Sequence, residues 1–303
     1  MTIARWFPAL TLLMLITGCT RWSFLNKGPE TKPPPVTGEP PPVAAYLEYL
    51  NDNARRIDTV RCTEIDVTCS QGIQSFGLRG KMVAQKPHNF SMTSDFIGKS
   101  AVEVGSNDKE FWYWLSKADP PYQVYCSYKD LNDGRVKQLP FPFQPDWIME
   151  TMGMGTYGPT DRFRLEADGN TIKLVEQTSS QGKPTRKIIV MNRRAVQAPT
   201  PQVTAFLLVD DATGKEICSA HITETQLDKN TGAIIPRRLE FRWPEQRFKM
   251  ALKLDGTAVN AQVPATAFVR RPMPGVPAFD LATRRLDQAS AEVQRVQRVQ
   301  GVR

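Results

Sequence analysis

The 303-residue sequence carries 39 lysines and arginines against 31 aspartates and glutamates, a formal net charge of +8. This length predicts one or two domains and is long enough to bury a sizeable core. With His88 and His221 as its two histidines and no Cys-x-x-Cys, the composition argues against a zinc centre. His-Glu-x-x-His, Gly-x-Ser-x-Gly and a glycine-rich phosphate loop are also missing from the sequence, so we expect neither catalysis nor a cofactor.

The chain opens on a short apolar run that ends at Cys19. Its core, Trp6 to Ile16, has the length of the apolar region of a signal peptide, whereas a membrane-spanning helix takes about 20 residues. The small residues Thr17 and Gly18 before Cys19 resemble the lipobox of bacterial lipoproteins. The resemblance implies removal of residues 1–18 by cleavage after Gly18, a diacylglyceryl thioether on Cys19, and acylation of the new amine. The alternative is an ordinary secretory signal whose cleavage site lies near a chance cysteine.

Attached acyl chains would hold such a protein at a membrane. Each buried CH₂ contributes about 0.8 kcal/mol, so two or three chains attach a protein stably where one gives only reversible binding. Thr20 follows the cysteine where Asp would resemble an inner-membrane retention signal. We therefore expect the periplasmic face of the outer membrane. An exported basic chain is expected to meet lipid head groups or anionic envelope polymers and no nucleic acid.

Residues 19–43 predict a tether, and a helix follows it. The triplets Pro33–Pro35 and Pro40–Pro42 favour an extended, semi-rigid spacer. From Val43 the apolar residues recur at helical spacing, which predicts an amphipathic helix whose stripe faces a core. These positions are Val43, Tyr46, Leu47, Leu50, Ala54 and Ile57.

Fourteen strand candidates follow the helix, many of them separated by turn sequences such as Asp168-Gly169 and Asp255-Gly256. Consecutive hairpins predict an antiparallel meander. The alternation of apolar residues and lysines over Phe248–Leu254 predicts a sheet that is dry on one face only. The candidates are Val60–Ser70, Phe76–Ala84, Asn89–Phe96, Ala101–Gly105, Glu110–Leu115, Gln123–Tyr128, Arg162–Ala167, Thr171–Gln177, Arg186–Met191, Val203–Val209, Glu216–Thr223, Arg237–Trp243, Phe248–Leu254 and Ala267–Arg270.

Two stretches depart from this alternation. The run Phe111–Leu115 is aromatic on both faces, which predicts a strand that is covered twice or lines an opening. A proline-rich stretch, Pro140–Pro145, leads into a methionine-rich segment from Asp146 to Met154. This pattern predicts a short helix with Asp146 as its N-cap.

The four cysteines after Cys19 are disulfide candidates: Cys62, Cys69, Cys126 and Cys218. If Val60–Ser70 is one extended strand, Cys62 and Cys69 lie about 23 Å apart, since each residue adds about 3.3 Å. A disulfide tolerates roughly 4.4–6.8 Å between Cα atoms. We therefore expect no Cys62–Cys69 bridge, and pairing with Cys126 and Cys218 or the reduced state remain open.

The sequence predicts a folded domain over residues 44–271, followed by a basic tail over residues 272–303. Leu286, Ala289, Val293 and Val296 have heptad-like spacing over only two heptads. Two heptads are fewer than a coiled coil needs. We expect a disordered tail or a helix that forms on a partner.

Several short motifs resemble the LolA and LolB lipoprotein-carrier superfamily over about residues 43 to 270. The matching stretches are Tyr46–Val60, Gly77–Met92, Gly105–Trp114, Ile235–Phe241 and Ala258–Asn260, and Ser91 stands where that pattern usually has Arg. The resemblance implies a mainly β (α+β) fold, a curved, unclosed antiparallel half-barrel with helices across its concave side. It also implies an apolar interior that holds acyl chains.

The function that this resemblance implies is a lipid-anchored envelope protein that binds acyl chains or lipoproteins and takes part in lipoprotein or lipid sorting. The candidate cavity lining is Trp147, Met149, Met152, Met154, Trp112, Trp114, Phe90 and Met92. The same residues could equally be plain core. A different class of function is a non-catalytic envelope scaffold or interaction protein that uses the basic tail.

Overall fold

The computed structural model describes residues 38–116, 122–136, 145–180, 183–194 and 203–283. The predicted signal peptide, Cys19, most of the tether and the heptad-like tail lie outside these residues. The helices are α1 (Val43–Arg55), α2 (Tyr128–Asn132) and α3 (Pro145–Met149), with a wide helical turn at Glu150–Met154. The strands are β1 (Thr59–Gln71), β2 (Gln74–Gln85), β3 (Asn89–Phe96), β4 (Lys99–Ser106), β5 (Glu110–Leu115), β6 (Gln123–Ser127), β7 (Phe163–Asp168), β8 (Thr171–Ser180), β9 (Lys183–Asn192), β10 (Val203–Asp210), β11 (Glu216–Leu227), β12 (Ile234–Trp243), β13 (Phe248–Val259) and β14 (Ala278–Asp280).

The fourteen strands of the described residues form one curved sheet that does not close. Its order is β14-β6-β5-β4-β3-β2-β1-β13-β12-β11-β10-β9-β8-β7, and β14 and β7 are its two edges. Neighbouring strands are antiparallel except for β14 and β6, which are parallel. The predicted fold class, an unclosed antiparallel half-barrel with few helices, is confirmed.

The two halves of the sheet join where β1 pairs with β13, from Val60 opposite Val259 to Gln71 opposite Phe248. The pairing of β1 with β2 shifts between Cys62 and Ile65, which marks a β-bulge. Because of the extra residue, the apolar side chains before and after the bulge face the same side of the sheet. Val60, Cys62, Ile65, Val67 and Cys69 are accordingly all buried.

Helix α1 covers one face of the sheet, which we call the inner face because it carries the main core. The predicted stripe is confirmed, since Tyr46, Leu47, Leu50 and Ala54 are buried. The Tyr46 hydroxyl donates to the carbonyl of Arg193 at the end of β9 (3.1 Å). Burial of this apolar face, more than intrinsic helix propensity, stabilises so short a helix.

The prediction of a last strand at Ala267–Arg270 is wrong. Residues Ala265–Phe268 form a 3₁₀ turn after Pro264, and the chain then runs to the sheet edge to add β14. The Gln123 N–H donates to the Pro277 carbonyl (3.0 Å), and the Gln123 side chain donates to the Arg271 carbonyl (2.9 Å). Prolines cannot donate to a strand ladder, which explains the irregular backbone before β14. The folded part therefore extends beyond the predicted boundary at residue 271.

The cysteines of the described chain are free, buried thiols: Cys62, Cys69, Cys126 and Cys218. Cys62 and Cys69 lie in the single strand β1, as the sequence predicted, so they do not form a bridge with each other. The four cysteines are therefore reduced in the structure, which is one of the two alternatives that the sequence left open. Within the described residues, no helix has the length and apolar character needed to cross a bilayer.

Candidate functional site

The methionine-rich segment lies on the inner face of the sheet. Helix α3 passes directly into the wide turn Glu150–Met154, in which Gly153 adopts a φ of +84° that few other residues tolerate. The predicted short helix is therefore present, but it is irregular. The inner-face residues predicted as lining, Phe90, Met92, Met149, Met152 and Met154, are all buried in one core cluster.

Trp147 stands at the edge of this cluster. It is partly buried, with its ring centroid 5.3 Å from that of Phe241 and 6.4 Å from that of Trp243. Phe241 and Trp243 stack on each other with centroids 5.9 Å apart. The three rings form an aromatic wall in which Trp147, on the covering segment, faces residues of β12. Among the predicted lining residues of the inner face, Trp147 is the one that retains solvent exposure.

Trp112 and Trp114 do not belong to this site, and their assignment to the lining is corrected. Directly paired residues of antiparallel strands project to the same face. Trp112 pairs with Gly105 and Trp114 with Glu103, whereas Tyr113 pairs with Val104 of the inner core. Both tryptophans therefore lie on the outer face. A Cβ atom at Gly105 would come within 2.3 Å of the Trp112 ring, so this position has room only for glycine.

The outer face of β5 is covered by the segment that leads to β14. The Arg270 guanidinium lies 3.9 Å from the centroid of Tyr125, the cross-strand partner of Trp112, and its Nε lies 3.1 Å from Glu110 Oε1. The Trp112 indole N–H donates to Glu103 Oε1 (2.9 Å). The strand that is aromatic on both faces is thus covered twice, which was one of the two predicted alternatives.

Asp146 anchors the beginning of the covering segment, but it is not an N-cap, because α3 already begins at Pro145. Its Oδ1 lies 3.0 Å from His88 Nδ1 and accepts a hydrogen bond from the Tyr128 hydroxyl at 3.5 Å. Burial, and then the charge of Asp146, raise the pKa of Tyr128. Proline at the first helical position explains the shift in the helix start.

A polar cluster that the sequence did not reveal lies at the end of the covering segment. Glu150 is 9% exposed and its Oε2 lies 2.5 Å from Lys187 Nζ on β9. Tyr157 lies beside Glu150; burial and then this carboxylate raise the pKa of Tyr157 far above its usual value. A second ion pair, Arg162 with Glu176 at 2.6 Å, borders the cluster. Lys187 alternates with Ile189 and Met191, and this charge on an apolar strand face is the signal that sequence reasoning missed.

The second histidine, His221, lies in a hydrogen-bonded group with Ser219 and Glu216. Ser219 Oγ is 3.1 Å from His221 Nε2, but the hydroxyl donates to Glu216 Oε1 at 2.6 Å. Burial, followed by the charge of Arg242, lowers the pKa of His221. No cluster of three or more His, Cys, Asp or Glu side chains suited to a metal ion occurs within the described ranges.

Comparison with known proteins returned matches in structure alone. No protein-family model and no curated protein matches the sequence. The fold is similar to a DUF1329 family protein from Desulfovibrio piger (TM-score 0.49, 9% identity, covering 75% of this chain and 97% of that one). It is also similar to a putative outer membrane lipoprotein-sorting protein domain from Vibrio parahaemolyticus (TM-score 0.46, 9% identity, covering 73% of this chain and 95% of that one). A third similar structure is a LolA superfamily protein from Nitrosomonas europaea, with a TM-score of 0.46 and 8% sequence identity. The match covers 74% of this chain and 96% of that one. The last of these comes from the superfamily that the sequence resembles, and at such identities the likeness concerns the fold alone.

Proposed function

We propose that the protein binds an acyl chain, free or attached to a lipoprotein, between the methionine-rich covering segment and the inner face of the sheet. In this proposal it is exported, held at the outer membrane through lipid on Cys19, and takes part in sorting lipids or lipoproteins. No catalytic step is required for this role. The domain needs only to shield an apolar chain from water and to release it.

The observation that supports this function most directly is the composition of the layer over the inner face. Met149, Met152 and Met154 belong to the core cluster to which α1 and the sheet both contribute, where a globular core would ordinarily use branched side chains. Methionine is unbranched, flexible and polarizable, so it can repack around a guest chain. An acyl chain has similar flexibility and cross-section, and it could replace these side chains against the same apolar neighbours.

The second supporting feature is the irregular backbone of the covering segment. A wide turn and the positive φ of Gly153 interrupt the helix after Met149. The segment is therefore not a continuous helix. Trp147 marks the rim of the site, where its ring separates the apolar wall of Phe241 and Trp243 from solvent.

The test is binding of a fluorescent fatty acid to the Cys19→Ser chain, compared with Trp147→Asp in the same background. We expect the charge at the rim to weaken binding at least tenfold, because a carboxylate in an apolar site is strongly unfavourable. Leu227→Asp is the matched control, since Leu227 is 60% exposed at the end of β11. Thermal unfolding of each variant separates loss of the site from loss of the fold.

Two results would contradict the proposal. One is a Cys19→Ser chain that binds no fatty acid and carries no acyl species when it is analysed by mass spectrometry. The other is a folded Trp147→Asp variant with unchanged affinity. If Trp147→Asp does not fold, Trp147→Ala gives the same comparison without a buried charge.

A further inference from the structure

The two edges of the sheet differ in length. β14 offers three residues, Ala278–Asp280, whereas β7 offers six, Phe163–Asp168. β7 pairs with β8 along one side, and no described residue pairs with its other side. An uncovered strand edge is a template for pairing with another strand, and natural proteins usually shorten, charge or cover such an edge. β7 is therefore the edge at which a further strand can extend the sheet.

The hairpin that joins β7 to β8 determines which backbone groups of β7 point outward. Its two-residue loop lies between the paired residues Asp168 and Thr171. The closing pair of such a hairpin is hydrogen-bonded, and hydrogen-bonded and non-hydrogen-bonded pairs then alternate along the two strands. Counting back from Asp168, every second residue bonds to β8. The residues between them, whose N–H and C=O groups point outward, are Ala167, Leu165 and Phe163.

Most of these outward groups are unpaired. The Phe163 N–H donates to the Thr160 carbonyl in the preceding 3₁₀ turn. Within the described part of the chain, the Phe163 carbonyl and both backbone groups of Leu165 and Ala167 have no backbone partner on this side. Two donors and three acceptors are therefore available to an added strand.

The side chains of β7 match a second copy of the same strand. If two copies pair antiparallel about a two-fold axis at Leu165, Arg164 of each copy lies opposite Glu166 of the other. Both side chains are exposed, at 67% and 43%, and within one chain they form an ion pair at 2.5 Å. Moving the axis by one or two residues in either direction would place like charges opposite each other, which destabilises a sheet. The outward N–H and C=O of Leu165 also suit a residue that bonds to its own copy.

We propose that two copies of the protein associate through β7, so that their sheets join about a two-fold axis at Leu165. Each copy donates two hydrogen bonds, from the Leu165 N–H to the Leu165 carbonyl of the other copy and from the Ala167 N–H to the Phe163 carbonyl. The Arg164 and Glu166 side chains form opposite-charge pairs across the junction. Because each copy uses its one β7 edge, the assembly closes as a dimer. A strand of six residues buries less area than a standard interface, so the dimer belongs to the weak, transient class.

Sedimentation equilibrium of the full chain carrying Cys19→Ser tests the dimer, with Arg164→Glu and Glu166→Arg added separately. We expect the parent chain to dimerise with a dissociation constant of about 10–1,000 μM. Each charge reversal alone should weaken self-association about tenfold, because it places like charges opposite each other. An equimolar mixture of the two variants restores opposite charges at both positions and should dimerise about as well as the parent chain. Arg79→Glu is the matched control, since Arg79 is 84% exposed on β2, a strand that is paired on both sides.

Three results would overturn the proposal. A parent chain that stays monomeric over this concentration range would leave the edge to a strand of another protein or of this chain outside the described residues. Self-association that both charge reversals retain unchanged would place the contact elsewhere. A mixture that dimerises no better than the separate variants would contradict the register. Thermal unfolding checks that each variant is folded; if one is not, Ala167→Pro, which removes only an outward N–H, should weaken the parent dimer instead.

Discussion

Asn53 on α1 and Ile234 at the start of β12 exchange two hydrogen bonds. Asn53 Nδ2 donates to the Ile234 carbonyl at 2.9 Å, and the Ile234 N–H donates to Asn53 Oδ1 at 2.8 Å. One side-chain amide thus takes the place of a neighbouring strand. Asn51, two residues earlier, makes the same pair of bonds with the backbone of Tyr157, both at 2.8 Å. These two residues fix α1 against both the sheet and the chain that follows the methionine-rich segment.

Removing the Asn53 amide should lower the free energy of unfolding. Asn53→Ala leaves the N–H and carbonyl of Ile234 without their partners, and we expect a loss of about 2 kcal/mol. Urea unfolding followed by circular dichroism measures this change. Glu48→Ala, an exposed substitution on the same helix, should change stability by less than about 0.5 kcal/mol. Equal stability of the two variants would show that the amide does not fix the helix.

The buried thiols predict a loss of stability at alkaline pH. Burial raises the pKa of Cys62, Cys69 and Cys126 to about 11 and that of Cys218 to about 12, from 9.0. The thiols stay neutral in the folded chain while the unfolded chain ionises above pH 9. Their contribution is therefore complete below pH 9 and declines as the pH rises from 9 toward 11–12, by up to about 1.4 kcal/mol per pH unit and thiol.

Urea unfolding of the Cys19→Ser chain at pH 8 and pH 10 checks this expectation. We expect a clear decrease in the free energy of unfolding at pH 10, and a smaller decrease when Cys69→Ala is added. At pH 8 the four thiols should react with Ellman's reagent only after guanidinium unfolding, because the thiolate is the reactive form. Rapid modification of one thiol in the folded protein would contradict the burial that the structure shows.

Replacing Ile97 should stabilise the folded protein. It and Gly98 form the two-residue turn between β3 and β4, and both have positive φ, 50° and 72°. A β-branched residue is strained in this conformation, whereas Asn-Gly is the preferred sequence for such a turn. Because Ile97 is 87% exposed, Ile97→Asn removes no core contact. We expect the free energy of unfolding to rise by about 1 kcal/mol.

Ile73 provides the control for this turn substitution. It is as exposed as Ile97, at the tip of the neighbouring β1–β2 hairpin, but there Gly72 takes the positive φ of 59°. Ile73→Asn should therefore leave the free energy of unfolding nearly unchanged. If both substitutions stabilise the protein equally, exposure of an apolar side chain is the cause and backbone strain is not.

The sequence predicts most of this sheet because its strands carry their own signals. Alternation and turn residues identified β1 to β13, and alternation placed Phe90 and Met92 on the inner face. The face occupied by Trp112 could not be read from a strand with aromatic residues on both sides, since it depends on which distant segment covers each face. Arg270, which covers Tyr125, is more than 100 residues away in sequence.

The polar cluster was missed for a similar reason. Glu150 looks like an ordinary surface residue in sequence, and the position of Lys187 on an apolar strand face does not identify its partner, because their contact depends on how the covering segment lies across β9. The bulge after Cys62 also left no sequence signal of its own, although it allows one strand to bury residues on both sides of it. Local patterns predict elements and faces, whereas contacts between remote segments decide which faces meet.

Met152 tests whether the covering segment is core in the absence of a ligand. Met152 is fully buried in the core cluster to which α1 and the sheet both contribute, so a charge at this position disturbs the core itself. An unpaired buried charge there should cost about 3–5 kcal/mol, and Met152→Leu, which conserves volume, less than about 1.5 kcal/mol. Loss of acyl binding in Met152→Asp would then report unfolding, so the rim residue Trp147 is the better probe of the site. A Met152→Asp protein with nearly unchanged thermal stability would show instead that water reaches this position and that the segment opens readily.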